Sequence, residues 1–217
     1  MILFAKSPVP GRVKTRLAQT IGQEAAAQLH TAFVADCLVQ ANELARVSHI
    51  DIELHTDVET DVWSSFAVTN CLQTPGDLGG RMLSAMRNAL AAGRPQALIT
   101  GTDSPTLPLV YLQQLLNLDT DVALGPTEDG GYYAISCRRV AEEMFRSVNW
   151  STASTLSDTM ASCVLAGLSV SQGSRWYDVD DFRDLERLAA EGNLPENTAR
   201  IMENLYGDQR RGKSSED

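Results

Sequence analysis

Short, wholly apolar runs alternate along this chain with longer stretches of helical period, and that alternation leaves few folds open. Residues 1–5 are apolar throughout and empty into a Pro/Gly loop; residues 97–100 carry a similar run, and both read as strands buried on two faces. Between them, Ala25, Leu29, Phe33, Cys37, Ala41 and Leu44 recur at three- and four-residue intervals, which predicts a helix over 23–46. Residues 50–54 alternate apolar and polar as a half-buried strand does, and 67–73 supply another strand after a short helix over 61–66. Asp77 caps a helix that ends at Gly93, and a further helix follows through Leu109, Leu112 and Leu115. A strand over 121–124 turns at Gly130 and Gly131 into a strand over 132–135. Helices are predicted over 138–145, 152–166, 181–190 and 195–205, with a last strand over 168–171 leading toward Trp176 to Asp180.

Strands that alternate with helices predict an α/β fold: a mostly parallel, twisted sheet with helices on both faces, and ligands held beyond the carboxyl ends of the strands. With 217 residues, 43% of them hydrophobic, the chain can close one sizeable core. We expect a single domain over 1–206 and a disordered polar tail over 207–217. No apolar run exceeds the first five residues, so neither a membrane span nor a secretion signal is expected, and the reading is cytoplasmic. Cys37, Cys71, Cys137 and Cys163 are widely spaced with no C-x-x-C pair, and read as buried thiols; His30, His49 and His55 read as surface or packing residues.

The charge distribution is uneven. The formal charge is -10, which opposes nucleic acid or an anionic membrane as partner, yet four of the eighteen Lys and Arg residues fall within positions 6–16. Lys6, Arg12, Lys14 and Arg16 have no acidic residue in reach before Glu24, so they repel one another unless a compact anion joins them. Phosphate groups suit such a loop, with Gly11 allowing close backbone approach and Pro8 and Pro10 stiffening it. The loop is neither G-x-G-x-x-G nor a Walker motif, because no glycine precedes Lys14.

Asp103 lies just past the apolar run 97–100, where a carboxylate can ligate a hard divalent cation; Asp-Ser-Pro is equally good turn chemistry. Asp178 and Asp180 close the last extended stretch and can bring a second carboxylate to that edge, while Asp181 suits a helix cap. Asp129, in Glu-Asp-Gly-Gly-Tyr-Tyr, can serve as a general base toward a hydroxyl if its turn overhangs the same edge, or can simply form the turn. Arg81 follows another glycine-bearing loop and can reach a phosphate or base.

The segments FAKSPVPGRVKTRL, GTDSP, GPTEDGGYY, NWST and YDVDD, in this order, resemble a bacterial family of glycosyltransferase-like proteins, DUF2064, also described as transferase 1, rSAM/selenodomain-associated. The resemblance spans residues 1 to about 190. It implies the GT-A type nucleotide-diphospho-sugar transferase fold, related to phospholactate guanylyltransferase and the molybdenum-cofactor guanylyltransferase. Position by position it sets Lys14 and Arg16 on phosphates, Asp103 on the cation and Asp129 on the acceptor side; from the residues themselves, Asp180 is the second candidate ligand for a Mg²⁺ or Mn²⁺ ion. GTDSP has one aspartate where many glycosyltransferases have D-x-D, and the first loop lacks the glycine-rich form of many nucleotidyltransferases. The expected activity is metal-dependent transfer of a sugar from a nucleotide-sugar to a small hydroxyl acceptor. Nucleotidyl transfer with release of pyrophosphate, or nucleotide binding without catalysis, are the alternatives; the oligomeric state is left open.

Overall fold

The computed structural model describes residues 1–48 and 50–213; His49 and residues 214–217 lie outside the description, as do the side chains from 207 onward. Seven strands form one sheet in the order β3-β2-β1-β4-β6-β5-β7. They are β1 (Ile2–Ala5), β2 (Glu53–Thr56), β3 (Thr69–Leu72), β4 (Ala97–Thr100), β5 (Val122–Pro126), β6 (Tyr132–Cys137) and β7 (Val170–Gln172). All neighbours pair in parallel except β6, which runs antiparallel between β4 and β5. The sequence makes β6 a reversal: Gly130, at φ +92°, turns the chain back within four residues of β5's end, too short for a crossover helix.

Among the described residues, seven helices cover the sheet: α1 (Thr15–Ile21), α2 (Gln23–Ser48), α3 (Leu78–Ala91), α4 (Leu109–Asn117), α5 (Thr155–Leu165), α6 (Phe182–Ala190) and α7 (Glu196–Lys213). The strand alternation divides them between faces. Ile2, Ile99, Leu124 and Ile135 pack with Met82, Met86 and Cys163 of α3 and α5. Leu3 and Leu54 pack with Val34 and Leu38 of α2, and Leu98, Ala123 and Ala134 with Leu112 and Leu115 of α4. A fourth core, built from Leu17, Leu29, Phe33, Tyr177, Val179, Leu185 and Met202, joins α1 and α2 to α6 and α7. Asp36, buried in α2, accepts hydrogen bonds from the Asn197 and Thr198 backbone and side chains, so one carboxylate both caps α7 and fastens it to α2.

Two expectations are corrected. Residues 138–145 and 61–66 are successive turns, not helices: Met144 N donates to Ala141 O and Arg146 N to Glu143 O, and Ser64 N to Asp61 O and Phe66 N to Trp63 O. Three-residue turns present nearly the same apolar spacing as an α-helix, so Met144, Phe145 and Trp63 are still buried. Helix α7 is assigned through Lys213, and residues 214–217 of the expected tail over 207–217 lie outside the described residues. The basic run also holds a helix, α1, that charge considerations alone did not reveal.

Gly125 of β5 faces the ring of Tyr133 on β6, which is 3% exposed and donates its hydroxyl to Ser174 O at 2.9 Å. A Cβ at position 125 would lie 2.2 Å from that ring. Gly125→Ala is therefore expected to destabilise the fold by about 1–3 kcal/mol, the usual cost of overpacking, read as a lower midpoint in urea with unchanged slope.

Candidate active site

The loops after β1 and β4, the segment after β7 and the loop before α3 converge at the carboxyl edge of the sheet. They enclose a cleft of about 590 Å³ lined by Lys6, Lys14, Arg16, Arg81, Asp103 and Asp180, with Phe4, His30, Gln73, Thr102 and Ser151 among its other walls. Six of the residues singled out from the sequence thus share one mouth. Gly11, Arg12 and Asp129 do not line it.

Lys14 is the centre of the arrangement. Its side chain is 3% exposed, and its Nζ lies 2.5 Å from Asp103 Oδ1, 2.6 Å from Val179 O and 3.3 Å from Asp180 Oδ1. The Phe33 ring lies beneath the ammonium at 5.6 Å. Burial works against the charge, but Asp103 and then Asp180 outweigh it, so the Lys14 pKa is raised. Burial likewise opposes ionisation of Asp103, and the Lys14 ammonium outweighs it, holding that carboxyl below its ordinary range. The backbone at Lys14 is left-handed, φ 45° and ψ 45°, a conformation that is uncommon for a residue with a Cβ. That turn, at the amino end of α1, leads the chain from the loop into the helix.

The two acidic segments are zipped together. Val179 N donates to Asp103 O at 2.9 Å, and Ser104 Oγ donates to Tyr177 O at 2.8 Å and to Asp178 Oδ1 at 2.5 Å. Burial, aided by the negative charge of Asp103, pushes Asp178 up to about 7. Asp181 and Asp184 form a reciprocal cap at the start of α6, the role expected of Asp181.

The remaining cations carry no such compensation. Among the described residues, Lys6, Arg16 and Arg81 have no carboxylate within ion-pair distance. Arg81 donates only to Gly76 O and Gln73 Oε1, and Gln73 in turn donates to Ala5 O and His55 O. In a chain of net charge -10, this cleft wall is locally positive.

Gly11 and Arg12 serve the loop instead. Gly11 adopts φ +77°, where a Cβ would lie 3.0 Å from Gln23 Oε1, and Arg12 is exposed. Asp129 stands in the β5–β6 turn, which follows the carboxyl end of β5; its Oδ1 accepts from Thr127 Oγ1 at 2.5 Å and from Gly131 N at 3.0 Å. The turn is pinned on two sides, by Leu156 N donating to Gly130 O and by Arg187 gripping Glu128 at 2.7 and 3.0 Å.

His30 went unclaimed as a site residue. Its Nε2 lies 2.9 Å from Lys6 O, so that nitrogen donates, and its buried Nδ1 has no partner among the described residues. From the sequence His30 reads as a surface or packing residue, and nothing there links it to the cleft.

The donor set at Asp103 and Asp180 suits a hard divalent cation, since two carboxylates and a carbonyl converge on a positive charge that Lys14 itself supplies here. Both carboxylates keep nearly half their surface open to the cleft.

Residues 34–152 match the family described as an uncharacterized protein conserved in bacteria, DUF2064. The chain belongs to this family. A candidate nucleotide-diphospho-sugar transferase from Desulfovibrio desulfuricans G20 is 30% identical, with 94% of this chain and 93% of that one covered and a TM-score of 0.84. CMP:2-keto-3-deoxy-manno-octonic acid synthetase in complex with CTP aligns at TM-score 0.58 and 11% identity, over 88% of this chain and 96% of the other. The 4-diphosphocytidyl-2C-methyl-D-erythritol synthase of Anaerococcus prevotii DSM 20548 aligns at 0.53 and 10% identity, over 88% and 97%. These two share the fold alone, which is of the GT-A nucleotide-diphospho-sugar transferase type. No curated protein matches the chain. Among the described residues, no helix is long and apolar enough to cross a membrane.

Asp178 gives the site a pH signature in stability. Its folded pKa of about 7 lies above the ordinary 3.8, so the folded state holds a proton that the unfolded chain has lost, and stability falls as pH rises between these values. Asp178→Asn keeps the acceptor for Ser104 without the charge. With a chelator present, its thermal midpoint is expected to exceed that of the parent above pH 7, the difference closing toward pH 4.

Proposed function

We propose that the protein is a metal-dependent transferase that binds a nucleotide-sugar in this cleft and passes the sugar to a small hydroxyl acceptor. The observation that carries the reading is the joining of Lys14 to Asp103 and Asp180 beside three unpaired cations at the carboxyl edge of β1 and β4. The similarity to the Desulfovibrio protein over nearly the whole of both chains supports the choice of donor class.

In this reading Lys6, Arg16 and Arg81 face the diphosphate, whose negative charge satisfies their mutual repulsion. Lys14 keeps Asp103 ionised and holds Asp103 and Asp180 in register before the donor arrives, and adds its own charge to the phosphate side. Asp103 and Asp180 hold Mg²⁺ or Mn²⁺, which when bound neutralises charge on the departing nucleoside diphosphate. Asp129 stands on the acceptor side; Oδ1 is committed to the turn, which leaves Oδ2 for the proton of the attacking hydroxyl.

A thermal-shift panel of nucleoside diphosphates, triphosphates and nucleotide-sugars, each with and without Mn²⁺, tests binding. Stabilisation by a nucleotide-sugar that needs the metal is expected, and Asp103→Asn should remove the metal dependence. Unchanged affinity in Asp103→Asn, with and without Mn²⁺, would take Asp103 out of the site. Arg81→Met should weaken nucleotide binding by about 1.5–3 kcal/mol, the worth of a hydrogen bond to a charged group.

Once a donor is identified, Asp129→Asn separates base from turn, because the amide oxygen still accepts from Thr127 and Gly131. Loss of transfer by at least about 100-fold with intact donor binding is expected of a base. Release of pyrophosphate from a triphosphate, without sugar transfer, would assign nucleotidyl transfer instead.

A further inference from the structure

A second cluster of ligand-bearing side chains stands outside the cleft, on the edge of the sheet formed by β2 and β3. Glu53, His55 and Cys71 place one ligand atom each within 4.8 Å of one another, and none of the three lines the cleft. The parallel register fixes this meeting. His55 is paired with Cys71 across the strands, and Glu53 lies two residues before His55, so all three project from one face.

The side chains are also held in place. The His55 ring stacks on Phe4 at 5.6 Å and 18°, and its Nε2 lies 2.7 Å from Glu53 Oε2. His55 is buried, whereas the Glu53 side chain is 38% exposed, which leaves an entry path on one side. Glu53 has no lysine or arginine partner among the described residues. Cys71 is set apart from the other cysteines: Cys37, Cys137 and Cys163 belong to hydrophobic clusters, and Cys71 to none.

We propose that Glu53, His55 and Cys71 form a site for a borderline divalent transition-metal ion of the Zn²⁺ class, distinct from the hard cation at Asp103. A thiolate, an imidazole nitrogen and a carboxylate oxygen are the ligands that Zn²⁺ takes, and they disfavour Mg²⁺, which demands oxygen. On binding, the Cys71 thiol loses its proton to solvent and forms the metal–sulfur bond. The His55 ring carries its proton on Nδ1, freeing the Nε2 lone pair for the metal, and Glu53 contributes an oxygen in place of its hydrogen bond to the ring. Water fills the fourth, open position. The ion then clamps edge strand β3 to β2, which adds stability in proportion to the logarithm of metal concentration above its dissociation constant.

The test is Co²⁺ titration of the full chain, kept reduced with a non-thiol reductant and with excess Mg²⁺ to occupy the oxygen site. The expected result is saturation at about one equivalent, with tetrahedral visible bands and a near-ultraviolet thiolate charge-transfer band, reversed by Zn²⁺. Cys71→Ser should abolish the charge-transfer band while far-ultraviolet circular dichroism is unchanged. Glu53→Gln should weaken Co²⁺ binding at least about tenfold, the lower end of what even an outer-shell partner is worth. A titration without a thiolate band, or a band that persists in Cys71→Ser, would overturn the site. These readouts are independent of transfer activity.

Discussion

The ammonium of Lys14 is the point on which the carboxyl edge is organised. Three chain segments far apart in sequence supply its oxygen partners or its own backbone: the loop after β1, the loop after β4 and the segment that follows β7. A buried charge of this kind contributes little net stability, because desolvation offsets much of the attraction, yet removing one partner leaves the other stranded. Its value is positional. The ion pairs fix where Asp103 and Asp180 stand relative to the unpaired cations, and the hydrogen bonds between residues 103–104 and 177–179 hold the same register from the backbone side.

Much of this was legible in the sequence because it rests on residue type and period. Strands β1 and β4 are buried on both faces and so read as unbroken apolar runs, and α2 shows its inner face plainly. Lys14, Asp103 and Asp180 stood out because a cation cluster in an acidic chain, and carboxylates just past strand ends, are costly unless they meet something. What failed was anything that depends on hydrogen-bond length rather than spacing. Residues 138–145 place Val140, Ala141, Met144 and Phe145 against the core at helical intervals, yet their backbone closes three-residue turns. Gly11 and Arg12 share the composition of the basic loop but answer to its bend and to solvent. His30 reaches the cleft only because the amino half of α2 passes behind the first loop, a tertiary fact without a local signal.

The same sheet gathers candidate ligand groups through two kinds of geometry. At the carboxyl edge the strands end and loops take over, so donors from distant segments meet around a space large enough for a ligand. At β2 and β3 the strands continue, and Glu53, His55 and Cys71 meet by register alone. Phe4 belongs to both, as a wall of the cleft and as the surface on which His55 stacks.

The guanidinium of Arg187 holds Glu128 in a two-pronged grip and lies 3.7 Å above the ring of Tyr177. One side chain of α6 therefore braces the β5–β6 turn and the strap that ends at Asp180 as a single jaw.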